Sequence, residues 1–223
     1  MVAGFARSLV NFRGSLLGEM VARGHTVIAA APVDGHTDEV AETLSKMGVC
    51  FVAVPMARGG LNPWQDLQSY RVLVRLFRAL QPDVVFAFTA KPVIYGGMAA
   101  RKVGGIRFYP MITGLGYAFT EGGGIKRKAV RLLVQQLYRR GLAAASAVIF
   151  QNPDDQALFR ELKLLAGNTP SECVHGSGVD LEAFGPQPLP DSPVFLMLAR
   201  LVADKGVREY VAAAREVKRR HPH

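Results

Sequence analysis

The chain has 223 residues, 49% of them apolar and 20% charged, with 27 Lys and Arg against 18 Asp and Glu for a formal charge of +9. That length buries a sizeable core in one large or two small domains, and the composition excludes a disordered chain. The positive balance favours anionic partners, whether phosphates, nucleic acid or an anionic membrane surface.

No apolar stretch reaches membrane-spanning length, and the N-terminus shows no signal-peptide apolar region. Cys50 and Cys173 lie far apart and outside any CxxC pattern. Cys50 sits in the apolar run Val49–Val54 and is expected to be a buried free thiol, which suits a reducing cytoplasm.

In chain order, Met1–Phe5 reads as the end of a first strand whose beginning is expected upstream. A loop, Ala6–Asn11, leads into a helix from about Phe12 to Arg23, stopped by Gly24. Then come a strand (His25–Ala31), a helix (Asp34–Met47), a strand (Val49–Pro55) and a helix (Gln65–Leu80). A fourth strand (Asp83–Phe88) precedes a helix opened by Lys91-Pro92, and a fifth (Ile106–Ile112) precedes a glycine-rich loop, Thr113–Gly124. A basic helix (Ile125–Ala144), a strand (Ala147–Phe150), a helix (Asp154–Leu164) and a strand (Glu172–His175) follow. Strict alternation of this kind predicts an α/β fold, a Rossmann-like doubly wound parallel sheet with helices on both faces.

The stretch Phe184–Pro193 is rich in proline and reads as an extended linker. After it, Val194–Ala199 is an apolar run that fits one buried strand, and Val207–Arg220 is a helical pattern. A lone β–α pair cannot bury its own apolar face, so a second domain is expected to be cut short. The expected organisation is a domain over 1–184, a linker over 185–193 and the start of a second domain over 194–223.

Ligands of open parallel sheets bind at the carboxyl ends of the strands, beside the point where strand order reverses. That rule nominates Arg7, Ser8, Asn11, Arg13 and Gly14 after the first strand, and Thr89 and Lys91 after the fourth. It nominates Thr113, Gly114, Gly116, Tyr117 and Glu121 after the fifth, and Gln151, Asn152 and Asp154 after the sixth. His175, Gly176, Ser177, Gly178 and Asp180 follow the last strand. G-x-G-x-x-G after the first strand, a P-loop, H-E-x-x-H, G-x-S-x-G and clustered Cys/His ligands are all missing, so no metal and no nicotinamide cofactor is expected.

Thr113-Gly114-Leu115-Gly116-Tyr117 lets backbone approach a ligand and offers a ring to stack on a sugar, and equally fits an ordinary flexible loop. Gly176–Asp180 fits either a site turn or a hinge with Asp180 as a helix cap. In the basic helix, Lys128, Arg131, Gln135 and Arg139 share one face, with Val130, Leu133, Val134 and Leu137 opposite. The apolar side is expected on the sheet, and the basic side either on anionic lipid or simply solvated. No aromatics interleave with its cations, which argues against nucleic acid. Finally, Arg200, Lys205 and Gly206 stand between the apolar run Val194–Ala199 and the last helix. Two cations at a helix N-terminus suit a diphosphate, and the same spacing fits a plain βα turn.

The set Ser8–Gly14, Lys91–Gly96, Met111–Phe119, Gln151-Asn152, Gly176–Asp180 and Ala199-Arg200-Leu201 with Lys205-Gly206 resembles bacterial family 4 glycosyltransferases, above all their PglA-like branch. The resemblance covers the whole chain. It implies the GT-B fold, of which this chain would be the N-terminal half and a β–α stub. It implies a retaining transfer from a nucleotide-diphosphate sugar, with UDP as the expected nucleotide, to a polyprenyl-diphosphate-linked or saccharide acceptor, without a required metal or other cofactor. Arg200 and Lys205 match the pair that grips the donor diphosphate. The acceptor would lie near Asn11, Arg13, Lys91 and Tyr117, with Ser8, Gly14, Thr113, Gly114, Asn152, Ser177 and Asp180 lining the cleft.

The basic helix, through Lys128, Arg131 and Arg139, would hold the protein to the inner face of the cytoplasmic membrane. The family's paired glutamates fall outside this chain, so the chain alone is expected to be inactive. Thr113 stands where many relatives carry histidine, and His175 where they often carry asparagine, so no catalytic base or nucleophile is assigned. The alternative reading is a non-catalytic Rossmann-type anion- or lipid-binding module.

Overall fold

The computed structural model describes residues 1–57, 59–60, 62–114, 124–199, 201 and 205–221, with the side chains of 125–127 left aside. The chain divides into two compact units, Met1–Asp180 and Leu181–His223.

The first unit is a parallel sheet between helical layers. Its strands are β1 (Ile28–Ala31), β2 (Cys50–Ala53), β3 (Val84–Phe88), β4 (Arg107–Ile112), β5 (Val148–Phe150) and β6 (Ser171–Cys173), paired as β1-β2 and as β3-β4-β5-β6. The N-terminal residues join the two pieces. Val2 N donates to Phe86 O at 2.7 Å, and Val2 O accepts from Phe88 N at 3.0 Å. On the other side Ala3 N donates to Ala30 O at 2.9 Å, and Ala30 N to Met1 O at 2.8 Å. Val2 bridges both Ala30 and Ala87 in parallel. The sheet therefore runs β2, β1, Met1–Gly4, β3, β4, β5, β6. The chain builds outward to one edge and then restarts on the other side of its own first residues, so the order reverses beside Met1–Gly4.

The helices are α1 (Arg7–Asn11), α2 (Gly14–Ala22), α3 (Thr37–Lys46), α4 (Pro63–Leu80), α5 (Ala90–Val103), α6 (Ile125–Leu142), α7 (Pro153–Glu161) and, in the second unit, α8 (Val207–Arg220). Strand alternation sorts the core into two layers. Val2, Ala30, Val85, Ala87, Phe108 and Phe150 join side chains of α4 to α7. Ala3, Ala29 and Ala31 face the other way, onto Leu9, Leu17, Val40 and Leu44. On that second side Val84, Phe86, Tyr109, Met111 and Ile149 are only half-buried. α4 and α7 start alike: Asn62 and Asn152 accept backbone N–H bonds, and a proline follows each at the first helical position.

Three expectations need correction. The loop predicted over Ala6–Asn11 holds the short helix α1, and the helix predicted over Phe12–Arg23 starts only at Gly14, because Phe12 and Arg13 leave helical geometry and Arg13 turns inward. Cys50 is exposed rather than buried, since it opens the edge strand β2. Val194–Ala199 is no strand. Its backbone pairs with no other strand among the described residues, and its side chains other than half-buried Met197 are exposed, Leu198 at 95%. In the second unit Tyr210 Oη of α8 donates to Phe195 O of that segment at 2.7 Å.

The α5–α6 crossing depends on missing side chains. A Cβ on Gly97 would land on the Gly141 carbonyl, and one on Gly141 would come within 2.7 Å of Ile94 Cα and 2.8 Å of Ile94 O. Backbone cannot yield as a flexible side chain does. Gly141→Ala is therefore expected to lower unfolding free energy by about 1–3 kcal/mol, read as a reduced urea midpoint at unchanged slope.

Candidate functional site

The reversal of strand order brings Gly4 and Thr89 together at the carboxyl ends of the first segment and β3. A Cβ on Gly4 would lie 2.5 Å from Thr89 Oγ1. Thr89 has φ 72° and ψ 163°, a region that glycine alone occupies freely. Holding a β-branched residue there costs about 1–3 kcal/mol, and such strain concentrates at functional sites.

Arg13 closes this crevice. It follows α1 and is only 8% exposed. One terminal nitrogen donates to Ser177 Oγ at 2.6 Å and to Phe12 O at 3.0 Å, and the other reaches Met111 Sδ at 3.7 Å. The guanidinium lies 4.2 Å from the centre of the Phe88 ring. Gln151 Nε2 donates to the same Ser177 Oγ at 3.2 Å. Arg13 thus gathers the ends of β3 and β4 and the loops after β5 and β6. Burial lowers its pKa below the ordinary value, and a guanidinium still stays charged at neutral pH. Among the described residues no carboxylate pairs with it.

Other predicted site residues are taken up by the architecture. Lys91 is not free for a ligand: its Nζ lies 2.7 Å from Asp66 Oδ1, both side chains nearly buried. Burial, and then the hydrogen bond and charge of Asp66, push the Tyr95 phenol above its usual range. Asn152 caps α7, accepting from Asp155 N at 2.7 Å and donating to Asp155 Oδ2 at 2.9 Å. Ser8 Oγ donates to Phe5 O at 2.7 Å and braces the turn. Asn11, Gly114, His175, Ser177, Asp180 and Lys205 are exposed, and Gly14 and Thr113 half-exposed. Tyr117 and Arg200, like Gly116 and Glu121, lie outside the described residues. Glu209 brings Oε2 to 3.8 Å from the Cβ position of Gly206, putting its own negative charge at the start of α8.

The face assigned to the basic helix is also corrected. Gln135, Tyr138 and Leu142 point into the protein, whereas Leu133 is 50% and Leu132 61% exposed. Arg139 donates to Leu162 O at 2.7 Å and Lys163 O at 3.1 Å, satisfying carbonyls at the end of α7. Arg131 is half-buried and Lys128 exposed. The tilt follows from packing: Tyr138 meets Phe159 of α7 edge to face at 5.2 Å.

The sequence reading missed Asp66, Phe88 and Met111. Phe88 and Met111 sit at strand carboxyl ends, which was the available signal; nothing local marks Asp66. A cavity of about 830 Å³ lies between Val27, Phe77, Val84 and Arg107, at the amino ends of the strands, and no crevice residue lines it. No cluster of metal-ligating side chains occurs among the described residues.

Residues 11–170 match the family described as Glycosyl transferase 4-like domain. Over 226 aligned residues the chain is 25% identical to a Campylobacter jejuni protein, N,N'-diacetylbacillosaminyl-diphospho-undecaprenol alpha-1,3-N-acetylgalactosaminyltransferase. The match takes in 95% of this chain and 58% of that relative, so the chain spans little more than half its length. Among solved structures, Acinetobacter baumannii MurG aligns with a TM-score of 0.47 at 15% identity, over 86% of this chain and 47% of MurG.

The Asp66–Lys91 pair carries its own test. Lys91→Met strands a buried carboxylate and is expected to cost about 3–5 kcal/mol. Adding Asp66→Leu should restore most of that loss. Thermal unfolding of the two variants checks both outcomes.

Proposed function

Since the chain belongs to the glycosyl transferase 4-like family, we propose that it serves a retaining GT-B glycosyltransferase that moves a sugar from a UDP-sugar to a polyprenyl-diphosphate-linked saccharide. The observation that carries this reading is the family match over residues 11–170, which spans the crevice loops from Arg13 to Asn152. The Campylobacter relative, named for transfer to a diphospho-undecaprenol-linked sugar, supports the acceptor class.

In this reading residues 1–180 form the acceptor side, and residues 181–223 belong to the donor side. The sugar's C1–O bond to the nucleoside diphosphate breaks as an acceptor hydroxyl oxygen bonds to C1 on the same face, its proton passing to the oxygen of the departing diphosphate. Arg200 and Lys205 neutralise charge that grows on the leaving diphosphate. No metal has a role in this account.

The protein would meet its lipid-linked acceptor through the α4–α6 layer. α5 packs against both α4 and α6. Along α4, Trp64, Arg71, Arg75 and Arg78 are exposed on one face, and α6 presents Lys128, Leu132, Leu133 and Arg140. Cations near an anionic surface contribute roughly 1 kcal/mol each, and exposed leucines and a tryptophan enter the interface. In this reading the protein works at the inner face of the cytoplasmic membrane.

Transfer of labelled sugar from a panel of UDP-sugars to a polyprenyl-diphosphate-linked saccharide, followed by organic extraction, tests the activity. Turnover is expected from the complete gene product and none from residues 1–223 alone, with Lys205→Ala slowing the former about a hundredfold. A complete product inert toward every lipid-linked acceptor would end the reading. Sedimentation with phosphatidylglycerol vesicles tests the surface: binding should fall at high salt and in the Leu132→Ser, Leu133→Ser double variant.

A further inference from the structure

We infer that Arg13 is the receptor for a diphosphate and that its ligand arrives on the acceptor. The existence of an anion site rests on geometry alone; its assignment to the acceptor rests on the transferase reading above.

The argument begins with two buried cations in one unit. Lys91 has Asp66 at 2.7 Å, so its charge is cancelled inside the fold. Arg13, at 8% exposure, has only neutral neighbours among the described residues: a backbone carbonyl, a serine hydroxyl, a thioether and an aromatic face. A desolvated charge without a counter-charge is costly, and a fold that tolerates one gains most from an anion that arrives later. Its hydrogen bonds leave the Nε–H and one Nη2 hydrogen without a protein acceptor among the described residues. An Nε–H and an Nη2 hydrogen are donors that can serve two oxygens of a phosphate.

Location agrees with charge. Arg13 lies at the carboxyl ends of β3 and β4, beside the reversal of strand order, where ligands of such sheets bind. Phe88 and Met111 wall the site with apolar surface, which strengthens an ion–ion contact by excluding water. Ser177 and Gln151 add a hydroxyl and an amide on the exposed side. The strained Thr89 and the bare Gly4 stand at the neighbouring strand ends. Diphosphate occurs on a lipid-linked acceptor and on a nucleotide-sugar donor, so the ligands tested separate the two sources.

The test is titration calorimetry on the 223-residue chain with inorganic pyrophosphate, farnesyl diphosphate and UDP. Pyrophosphate and farnesyl diphosphate should bind one to one, with UDP at least tenfold weaker. Arg13→Gln should weaken farnesyl diphosphate binding at least tenfold, Arg13→Lys should recover part of it, and Arg101→Gln, which removes an exposed charge, should leave it unchanged. Should Arg13→Gln fail to fold, the wild-type melting temperature still decides: it should rise with pyrophosphate, and no rise overturns the inference. Equal losses in Arg13→Gln and Arg101→Gln would reduce it to general charge attraction and also overturn it. UDP binding as tight as farnesyl diphosphate would overturn the acceptor assignment. Transfer activity is measured separately, so it can survive any of these failures.

Discussion

Four residues at the start of the chain organise the first unit. Val2 exchanges backbone hydrogen bonds with β3 on one side, while Met1 and Ala3 exchange theirs with Ala30 of β1 on the other. Both faces of that segment meet helices, so the chain there must be narrow: Ala3, Ala29 and Ala31 leave room for α1 to α3 to come close. Because the segment sits in the interior of the sheet, the loops that leave it and β3 diverge to opposite sides. The opening between them is the crevice that Arg13 enters. The tight contact of Gly4 with Thr89, and the unfavourable backbone of Thr89, follow from the same crowding.

The unit treats its buried charges in two ways. Lys91, Asp66 and Tyr95 form a closed set in which each polar group answers another, and that set binds α4 to α5. A closed set holds shape and offers nothing to a ligand. Arg13 is held just as firmly, by Ser177, Phe12 and the ring of Phe88, yet no carboxylate among the described residues answers its charge. Position is fixed by neutral contacts, and the electrostatic part is left for another molecule. That division suits recognition, since a preorganised guanidinium loses little entropy when an anion arrives.

Much of this was legible in the amino-acid order. Alternating apolar runs and helical periods located β1 to β6 and α2 to α7 but gave α1 as a loop, and Asn62-Pro63 and Asn152-Pro153 mark helix starts by mechanism. The strand-end rule found Arg13, Gln151 and Ser177 without coordinates. What failed did so where distant partners decide. Lys91 looks free until Asp66, on another helix, is brought against it. The rotation of α6 is set by Tyr138 meeting Phe159, which outweighs Leu132 and Leu133. Local pattern likewise made Val194–Ala199 a strand, but strands need neighbours, and among the described residues it has none.

That segment has a consequence for the molecule in solution. Val194–Ala199 is six residues without charge or proline, its side chains exposed apart from half-buried Met197 and its backbone in no ladder among the described residues. Such a stretch is a template for edge-to-edge growth, because a second copy can supply the missing ladder and the missing apolar cover together. The same property that would let it slot into a sheet makes it sticky when no sheet receives it. Whatever covers these six residues has to supply two things at once, a neighbouring strand for the backbone and an apolar face for the side chains.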